Sequence, residues 1–173
     1  MDYNDILFGL QPLLNAASIR DVPVESVYLE SYITVLDQLA VSLRAPANRD
    51  VVGQTGLLSN LMRVLCDTLD SCFSEDVIHT KRIAYFRIAS ELLRCIANTL
   101  VDNDANREIF MGSGLTGRNP IVDYYVGRIL NLIELPANSP NDLLADLQMR
   151  TVVMIRNLCL DNDAYTRRVT KFV

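Results

Sequence analysis

Apolar residues recur every three or four positions along most of the chain, which is the spacing of an α-helix with a buried side. No stretch alternates with a period of two between turn residues, so no strand is expected. The run Val152 to Ile155 is apolar on every side, and we expect its helix to be covered on several sides. The pattern predicts an all-α fold, with an N-terminal helix at about 2–18 and long helices at about 24–44, 58–72, 86–100, 122–133 and 143–160.

Two segments of the chain occur twice. Residues 98–105 (NTLVDNDA) return as 157–164 (NLCLDNDA), and residues 47–56 (ANRDVVGQTG) match 105–114 (ANREIFMGSG). The offsets are 59 and 58 residues, so the two echoes share nearly one period, which indicates stacked repeats. Stacked repeats act through extended binding surfaces, and the pattern therefore favours binding over catalysis in a pocket.

Polar residues separate long helices from short ones in a regular way. The segments 102–104 and 161–163 (both DND) follow long helices, and 42–46 (SLRAP) takes the same place in the first unit. Their Asp and Asn side chains can accept hydrogen bonds from the unpaired N–H groups of the next helix. Gly56 and Gly114 are expected to end the short helices, because glycine adopts the left-handed conformation at the lowest cost.

Composition narrows the class of protein. The chain has 173 residues, half of them hydrophobic, and a net charge of −5, which suits a folded domain and excludes extended disorder. It has no Lys/Arg block for nucleic acid and no apolar run of the ~18–20 residues that span a bilayer. Nucleic-acid binding and membrane insertion are not predicted, nor is a signal peptide. We expect a cytoplasmic protein, with the nucleus as the other open compartment.

Candidate catalytic chemistry is sparse. His79 is the single histidine and falls in a segment that we expect to be a polar loop, so a catalytic triad would have one base to draw on. The cysteines lack metal-ligand spacing, and we expect reduced, buried thiols at Cys66, Cys72, Cys95 and Cys159. The sequence therefore predicts neither an enzyme nor a metal site.

Two motifs imitate ligand sites. Residues 112–117 (GSGLTG) satisfy G-x-G-x-x-G, but a helix precedes them where the dinucleotide fingerprint needs a strand. Asp102, Asp104 and Asn106 match the first ligands of a calcium loop, yet Arg107 stands where that loop needs glycine. We interpret the first motif as a loop between helices and the second as helix capping, and no cofactor is predicted.

Units made of a long, a short and a medium helix resemble armadillo repeats. Residues 92–98 (LLRCIAN) and 153–159 (VMIRNLC) are similar to the third helix of that repeat, and residues 106–114 (NREIFMGSG) to its first. The resemblance covers about residues 24–173 and implies a right-handed α-solenoid of two to three armadillo-like units. The helix at 2–18 would be its N-terminal cap.

The chain also departs from this repeat. A period of 58 residues exceeds the ~42 of an armadillo unit, so we expect insertions, and we place them at Asp67–Lys81, Arg118–Pro120 and Pro136–Asn141. The last copy stops inside a first helix, at Lys171–Val173. We therefore expect residues 1–173 to form a single domain that is the N-terminal part of a longer solenoid.

A narrower resemblance concerns function. The phrase at 157–162 (NLCLDN) before a short helix resembles the Smg GDS-related family of small-GTPase regulators. Residues 6–15 (ILFGLQPLLN) and 36–44 (LDQLAVSLR) are similar to the fungal bud-emergence regulators of that family. The resemblance implies a non-catalytic interaction module of a regulator of Rho-type GTPases, tied to polarity and signalling proteins, which could stimulate guanine-nucleotide exchange through differential affinity. Whether this part of such a protein contacts the GTPase stays open.

The alternative is an armadillo cargo adaptor of the importin or catenin type that binds extended peptides. The chain has no Trp, so it lacks the tryptophan–asparagine ladder of importins. Its long helices mix arginine with acidic residues, as with Arg82 and Glu30, and this mixture of charges does not decide between the two functions.

The armadillo resemblance also points to particular side chains. Asn98 and Asn157 stand where armadillo proteins present asparagine to a concave groove, and Gln38 is the candidate for this place in the first unit. An amide both donates and accepts hydrogen bonds, so it can bind the backbone of an extended partner. The alternative interpretation is that these asparagines bond to neighbouring backbone within the stack. The candidate face continues along the same helices with Arg87, Glu91, Arg94 and Arg150.

Overall fold

The computed structural model describes residues 3–112, 124, 127–134 and 142–170. The described residues are helical with short connections and contain no strand, which confirms the all-α prediction. Short 3-10 turns occupy Ile19–Asp21 and Asn131–Glu134. The helices are α1 (Tyr3–Asn15), α2 (Ser26–Ser42), α3 (Pro46–Gln54), α4 (Leu57–Phe73), α5 (His79–Thr99), α6 (Asp104–Met111), α7 (residues 127–130), α8 (Asp142–Cys159) and α9 (Asp163–Val169).

Helices of the same kind pack on one another. The long helices α2, α5 and α8 lie side by side in that order, the short helices α3 and α6 contact each other, and α1 packs on α2 and α4. One cluster of buried apolar side chains runs from Ile6 in α1 to Val169 in α9. The sequence period therefore appears in the structure as helices that contact their counterparts one period away.

The segment Asp67–Lys81, where we expected an insertion, is mostly helical. Helix α4 continues to Phe73 and α5 already begins at His79, so residues 74–78 alone are non-helical there. The polar side chains of this segment are typical of a loop, yet Leu69 and Cys72 keep the buried side of α4 continuous. His79 is consequently an exposed residue of the first turn of α5 and not a loop residue. The other insertions, at 118–120 and 136–141, lie outside the described residues.

The junctions before the short helices use asparagine as the cap. The side-chain Oδ1 of Asn103 accepts the N–H of Asn106 at 2.9 Å, and Oδ1 of Asn162 accepts the N–H of Tyr165 at 3.1 Å. The preceding Asp102 and Asp161 have φ of 46° and 56° and turn the chain out of the long helices, a conformation that Asp tolerates better than most residues. Capping by asparagine is therefore confirmed for α6 and α9.

A glycine follows each of the short helices α3 and α6, as expected, but after α6 it is not the glycine that we predicted. Gly56 follows α3 with φ of 74°, as predicted. Helix α6 ends at Met111, and Gly112, with φ of 62°, is the left-handed residue whose N–H closes the last turn. The prediction of Gly114 as the end of α6 is wrong because glycine is available two residues earlier; Gly114 lies outside the described residues.

We expected α8 to be covered on several sides, but among the described residues one side of it is open. Within the run 152–155, Met154 is fully buried, whereas Val152 and Val153 are 54% and 48% exposed. α8 packs on α5 along one side and contacts α9 and the 3-10 turn Asn131–Glu134. Among the described residues, no helix covers the remaining side.

Three of the cysteines are buried, as predicted. Cys66, Cys72 and Cys95 lie in the core and Cys159 is half-buried; all four are free thiols. Burial raises the pKa of Cys66 to about 12, so its thiol stays protonated near neutral pH and is a poor nucleophile. No described helix is both long and apolar enough to cross a bilayer.

Candidate partner-binding face

Four of the candidate residues lie on one side of α5, and their counterparts one period later lie on one side of α8. In α5, successive spacings of four, three and four residues place Arg87, Glu91, Arg94 and Asn98 on one side of the helix. Helix α8 repeats this spacing 59 residues later, with Asp146, Arg150, Val153 and Asn157. Since α8 packs beside α5, the two sets of side chains lie next to each other.

Ion pairs join three of the predicted residues across three helices. Nη1 of Arg94 lies 2.6 Å from Oδ1 of Asp37 in α2 and 3.0 Å from Oε2 of Glu91. Nη2 of Arg150 lies 3.3 Å from Oε1 of the same Glu91, and Nε of Arg150 lies 2.9 Å from Oδ2 of Asp146. Glu91 is thus held between two guanidinium groups, and its side chain is only 14% exposed.

Arg87 continues this face toward the start of α5. Its two terminal nitrogens donate to the two carboxylate oxygens of Glu30 in α2, at 2.7 Å and 3.2 Å. The hydrogen bond from Arg87 lowers the pKa of Glu30. Both side chains are substantially exposed, so the pair adds little to stability. We call the whole set of charged residues the polar row: Glu30, Asp37, Arg87, Glu91, Arg94, Asp146 and Arg150.

The two predicted asparagines bridge successive long helices. Nδ2 of Asn98 donates to the backbone carbonyl of Ala40 in α2 at 2.8 Å, and Nδ2 of Asn157 donates to the carbonyl of Ala97 in α5 at 2.9 Å. Both asparagines are half-buried at one end of the polar row. These bonds are the contacts that the intra-stack interpretation expects. Partner binding by the two amides stays a prediction.

Gln38 does not share this face. It follows Asp37 directly and so lies about 100° further round the axis of α2. Its side-chain Oε1 is buried and has no hydrogen-bond partner. The structure therefore does not bring Gln38 together with Asn98 and Asn157.

Comparison with known proteins assigns the chain to a family. Residues 1–173 match the family model described as the BEM4 N-terminal domain. The chain belongs to this family. GTPase-GDP dissociation stimulator BEM4 of Saccharomyces cerevisiae is 54% identical over 175 residues, which cover all of this chain and 27% of the yeast protein. The resemblance to the fungal bud-emergence regulators is confirmed, and no solved structure matches the chain.

Apart from Glu91, the acidic members of the polar row were not predicted as site residues in this BEM4-family chain. Glu30, Asp37 and Asp146 neutralise the arginines, and Asp146 also bonds with the hydroxyl of Ser90 in α5. A signal was available, because Glu30–Arg87 and Asp37–Arg94 are both separated by 57 residues, close to the sequence period. Acid and base one period apart indicate a pair between stacked helices.

Sequence reasoning also missed two buried arginines. Nε of Arg107 donates to the carbonyl of Leu100 at 3.0 Å and its Nη1 to the carbonyl of Leu160 at 3.3 Å. Arg49, its counterpart in the first echo, donates to the carbonyl of Val101. Each guanidinium therefore satisfies a carbonyl at the end of a long helix, 52 or 53 residues further along the chain, where positive charge is favourable. Arg107 also satisfies the carbonyl of Leu100 at the end of the helix before it. The repeated ANR triplet was the signal.

The calcium-like motif has a different use in the BEM4-family fold. Asn106 is 1% exposed, and its Nδ2 donates to the carbonyls of Arg49 at 2.9 Å and Thr99 at 3.0 Å. A side chain on Gly53 would collide with Oδ1 of Asn106, so glycine there allows α3 and α6 to approach. Among the described residues, no cluster of His, Cys, Asp and Glu could hold a metal ion.

Proposed function

We propose that this chain is a non-catalytic protein-interaction module of a small-GTPase regulator, and that a partner binds along the polar row. The observation that carries the proposal is the match to the yeast protein named a GTPase-GDP dissociation stimulator, which extends over the whole chain. Such stimulation requires higher affinity for the nucleotide-poor GTPase than for its GDP-bound form, and it needs no proton-transfer group.

The finer fold that we propose is a right-handed armadillo-type solenoid of two to three units within residues 24–173, with α1 as its cap. Two contacts support it: the row α2–α5–α8 and the contact of α3 with α6. In this arrangement the long helices line one continuous surface, and the polar row lies along it. We further propose that the protein acts in the cytoplasm.

The polar row suits a partner that carries both signs of charge. Its acids and arginines already orient one another, so a partner finds ordered groups and pays little side-chain entropy to bind them. Arg94 and Arg150 are 29% and 25% exposed, so each can make a further contact while keeping its present two ion pairs. Rho-type GTPases are the partners that we propose, together with polarity and signalling proteins.

The cargo-adaptor alternative is less favoured by the geometry. An extended peptide would use the amides of Asn98 and Asn157, but each already donates to the backbone of the neighbouring long helix. A peptide would therefore be left with the second N–H and the Oδ1 of each amide. We therefore do not propose the adaptor function.

The test is binding of prenylated and unprenylated Rho-type GTPases in nucleotide-free, GDP and GTP states. Both this chain and a full-length BEM4-type protein that contains it would be measured by calorimetry. We expect the full-length protein to bind the nucleotide-free state most tightly, and Arg94→Ala to weaken binding more than the matched exposed control Arg44→Ala. Equal effects of the two changes would exclude the polar row, and no binding in any state would exclude the GTPase function.

A further inference from the structure

One side of α8 is apolar and open. Its exposed apolar residues are spaced so that they lie on the same side of the helix, and they extend over about 16 Å. Arg156, also exposed, lies among them. We call this surface the open face of α8; its apolar members are Met149, Val152 and Val153 within the helix and Leu160 directly after it, which are 60%, 54%, 48% and 43% exposed. A contiguous exposed apolar surface of this kind is typical of an interaction site.

The equivalent side of α5 shows what kind of element covers such a surface. Ser90, Leu93 and Ala97, 59 residues before Met149, Val152 and Arg156, are between 0% and 7% exposed. Helix α8 contacts this side of α5 directly, because Asp146 bonds with Ser90 and Asn157 donates to the carbonyl of Ala97. The open face of α8 is therefore the counterpart of a surface that, one period earlier, is covered by a long helix.

The same comparison specifies a polar contact. Asn98 donates to the carbonyl of Ala40 and Asn157 to that of Ala97. The next carbonyl in this series, 59 residues after Ala97, is that of Arg156. A helix that packs on α8 in the way that α8 packs on α5 would therefore place an asparagine opposite this carbonyl. A carboxylate on the same helix could form an ion pair with the exposed Arg156 side chain.

We propose that the open face of α8 binds a further long helix of the design of α5 and α8, with an apolar seam and an asparagine that donates to the carbonyl of Arg156. The part of a BEM4-type protein that this chain does not span supplies the helix: the chain covers 27% of its yeast relative. The inference goes beyond the proposed function, since the occupant belongs to the regulator and not to the GTPase.

The experiment measures thiol alkylation, resolved by peptide mass spectrometry, in a full-length BEM4-type protein that begins with this chain. Val152→Cys is compared with Val27→Cys, a valine in α2 that is 79% exposed. We expect the thiol at position 152 to react at least about tenfold more slowly than the one at 27, because a packed helix must open before the reagent enters. In this chain alone the two should react at similar rates.

Three results would overturn the proposal. Equal alkylation of the two positions in the full-length protein would show that the face is open. Protection that disappears on dilution would identify a second copy as the occupant. Protection that appears only after a GTPase is added would identify a separate partner. Each can be observed whether or not the polar row binds a GTPase, so failure here is distinguishable from failure of the proposed function.

Discussion

The two ends of the described helix stack have opposite outer surfaces. The outer side of α1 is mainly polar, with Phe8 as its prominent apolar residue; its exposed polar members are Asn4, Asp5, Gln11 and Asn15. The open face of α8 is mainly apolar and contains Arg156. Both helices nevertheless rest on the same buried core through their inner sides.

This difference bears on our proposal that α1 is the cap of the stack. A terminal repeat needs a polar outer surface to remain soluble, whereas an internal repeat has apolar surface on both sides. By this criterion α1 has the character of a terminal helix and α8 that of an internal one. Four predictions test the comparison, beginning with the largest expected effect.

Core side chains should contribute equally to the free energy of unfolding at both ends of the helix stack. Leu10 in α1 and Leu147 in α8 are both 0% exposed, so Leu10→Ala and Leu147→Ala should each lower the free energy of unfolding by about 2–5 kcal/mol through lost burial and a cavity. Urea denaturation measures the loss, with Met149→Ala as the exposed control. A loss below about 1 kcal/mol for either leucine would mean that its helix does not rest on the core.

Replacing the buried arginines should have the next largest effect on stability. Arg107→Ala leaves the carbonyls of Leu100 and Leu160 without their guanidinium donor, and Arg49→Ala does the same to Val101. We expect each to cost about 1–3 kcal/mol, with the exposed Arg44→Ala close to neutral. Hydrogen exchange should locate the Arg107→Ala effect at the end of α8. Faster exchange in α1 instead would contradict the described bond to Leu160.

The asparagine bridges should contribute less. Asn98→Ala and Asn157→Ala each remove one hydrogen bond between long helices, and we expect about 1 kcal/mol of lost stability for each. The same changes are predicted to weaken partner binding. Thermal denaturation and GTPase binding would be measured together. A loss above about 2 kcal/mol with unchanged binding would assign both amides to the stack alone.

The outer surfaces should affect stability least. Met149→Gln on α8 and Phe8→Gln on α1 both alter exposed side chains, so each should change the free energy of unfolding by less than about 0.5 kcal/mol. Binding of a hydrophobic dye to this chain should nevertheless fall more for Met149→Gln, because Met149 lies within a group of apolar residues. An equal fall for Phe8→Gln would remove the contrast between the two ends.

Much of the fold could be predicted because the chain repeats itself. The apolar period located α1, α2, α4 and α8 to within a few residues, and the echoed DND segments located the caps at Asn103 and Asn162. The first turns of α5 could not be predicted in this way. They carry His79 and other polar residues on an exposed surface, and the packing of α5 on α4 decides that they are helical.

The candidate site was predicted in part. Spacing along one helix placed Arg87, Glu91 and Arg94 together, since that depends on local geometry alone. Their acidic partners Glu30 and Asp37 depend on how α2 and α5 are aligned, which the spacing along one helix does not specify; the signal for this alignment was their offset of 57 residues from Arg87 and Arg94, close to the sequence period. The exposure of Val152 was unpredictable for the same reason: a sequence shows that a side chain is apolar but not whether another helix lies against it.

The span of the bonds between long helices bears on how the chain folds. The bonds from Arg87, Arg94, Asn98 and Asn157 to the preceding long helix join residues 57 to 60 positions apart. Each bond therefore closes a loop of one period, however many further units a protein of this kind contains. Relative contact order falls as such units are added, so lengthening the protein need not slow its folding. Order can begin in one pair of long helices and spread from there to its neighbours.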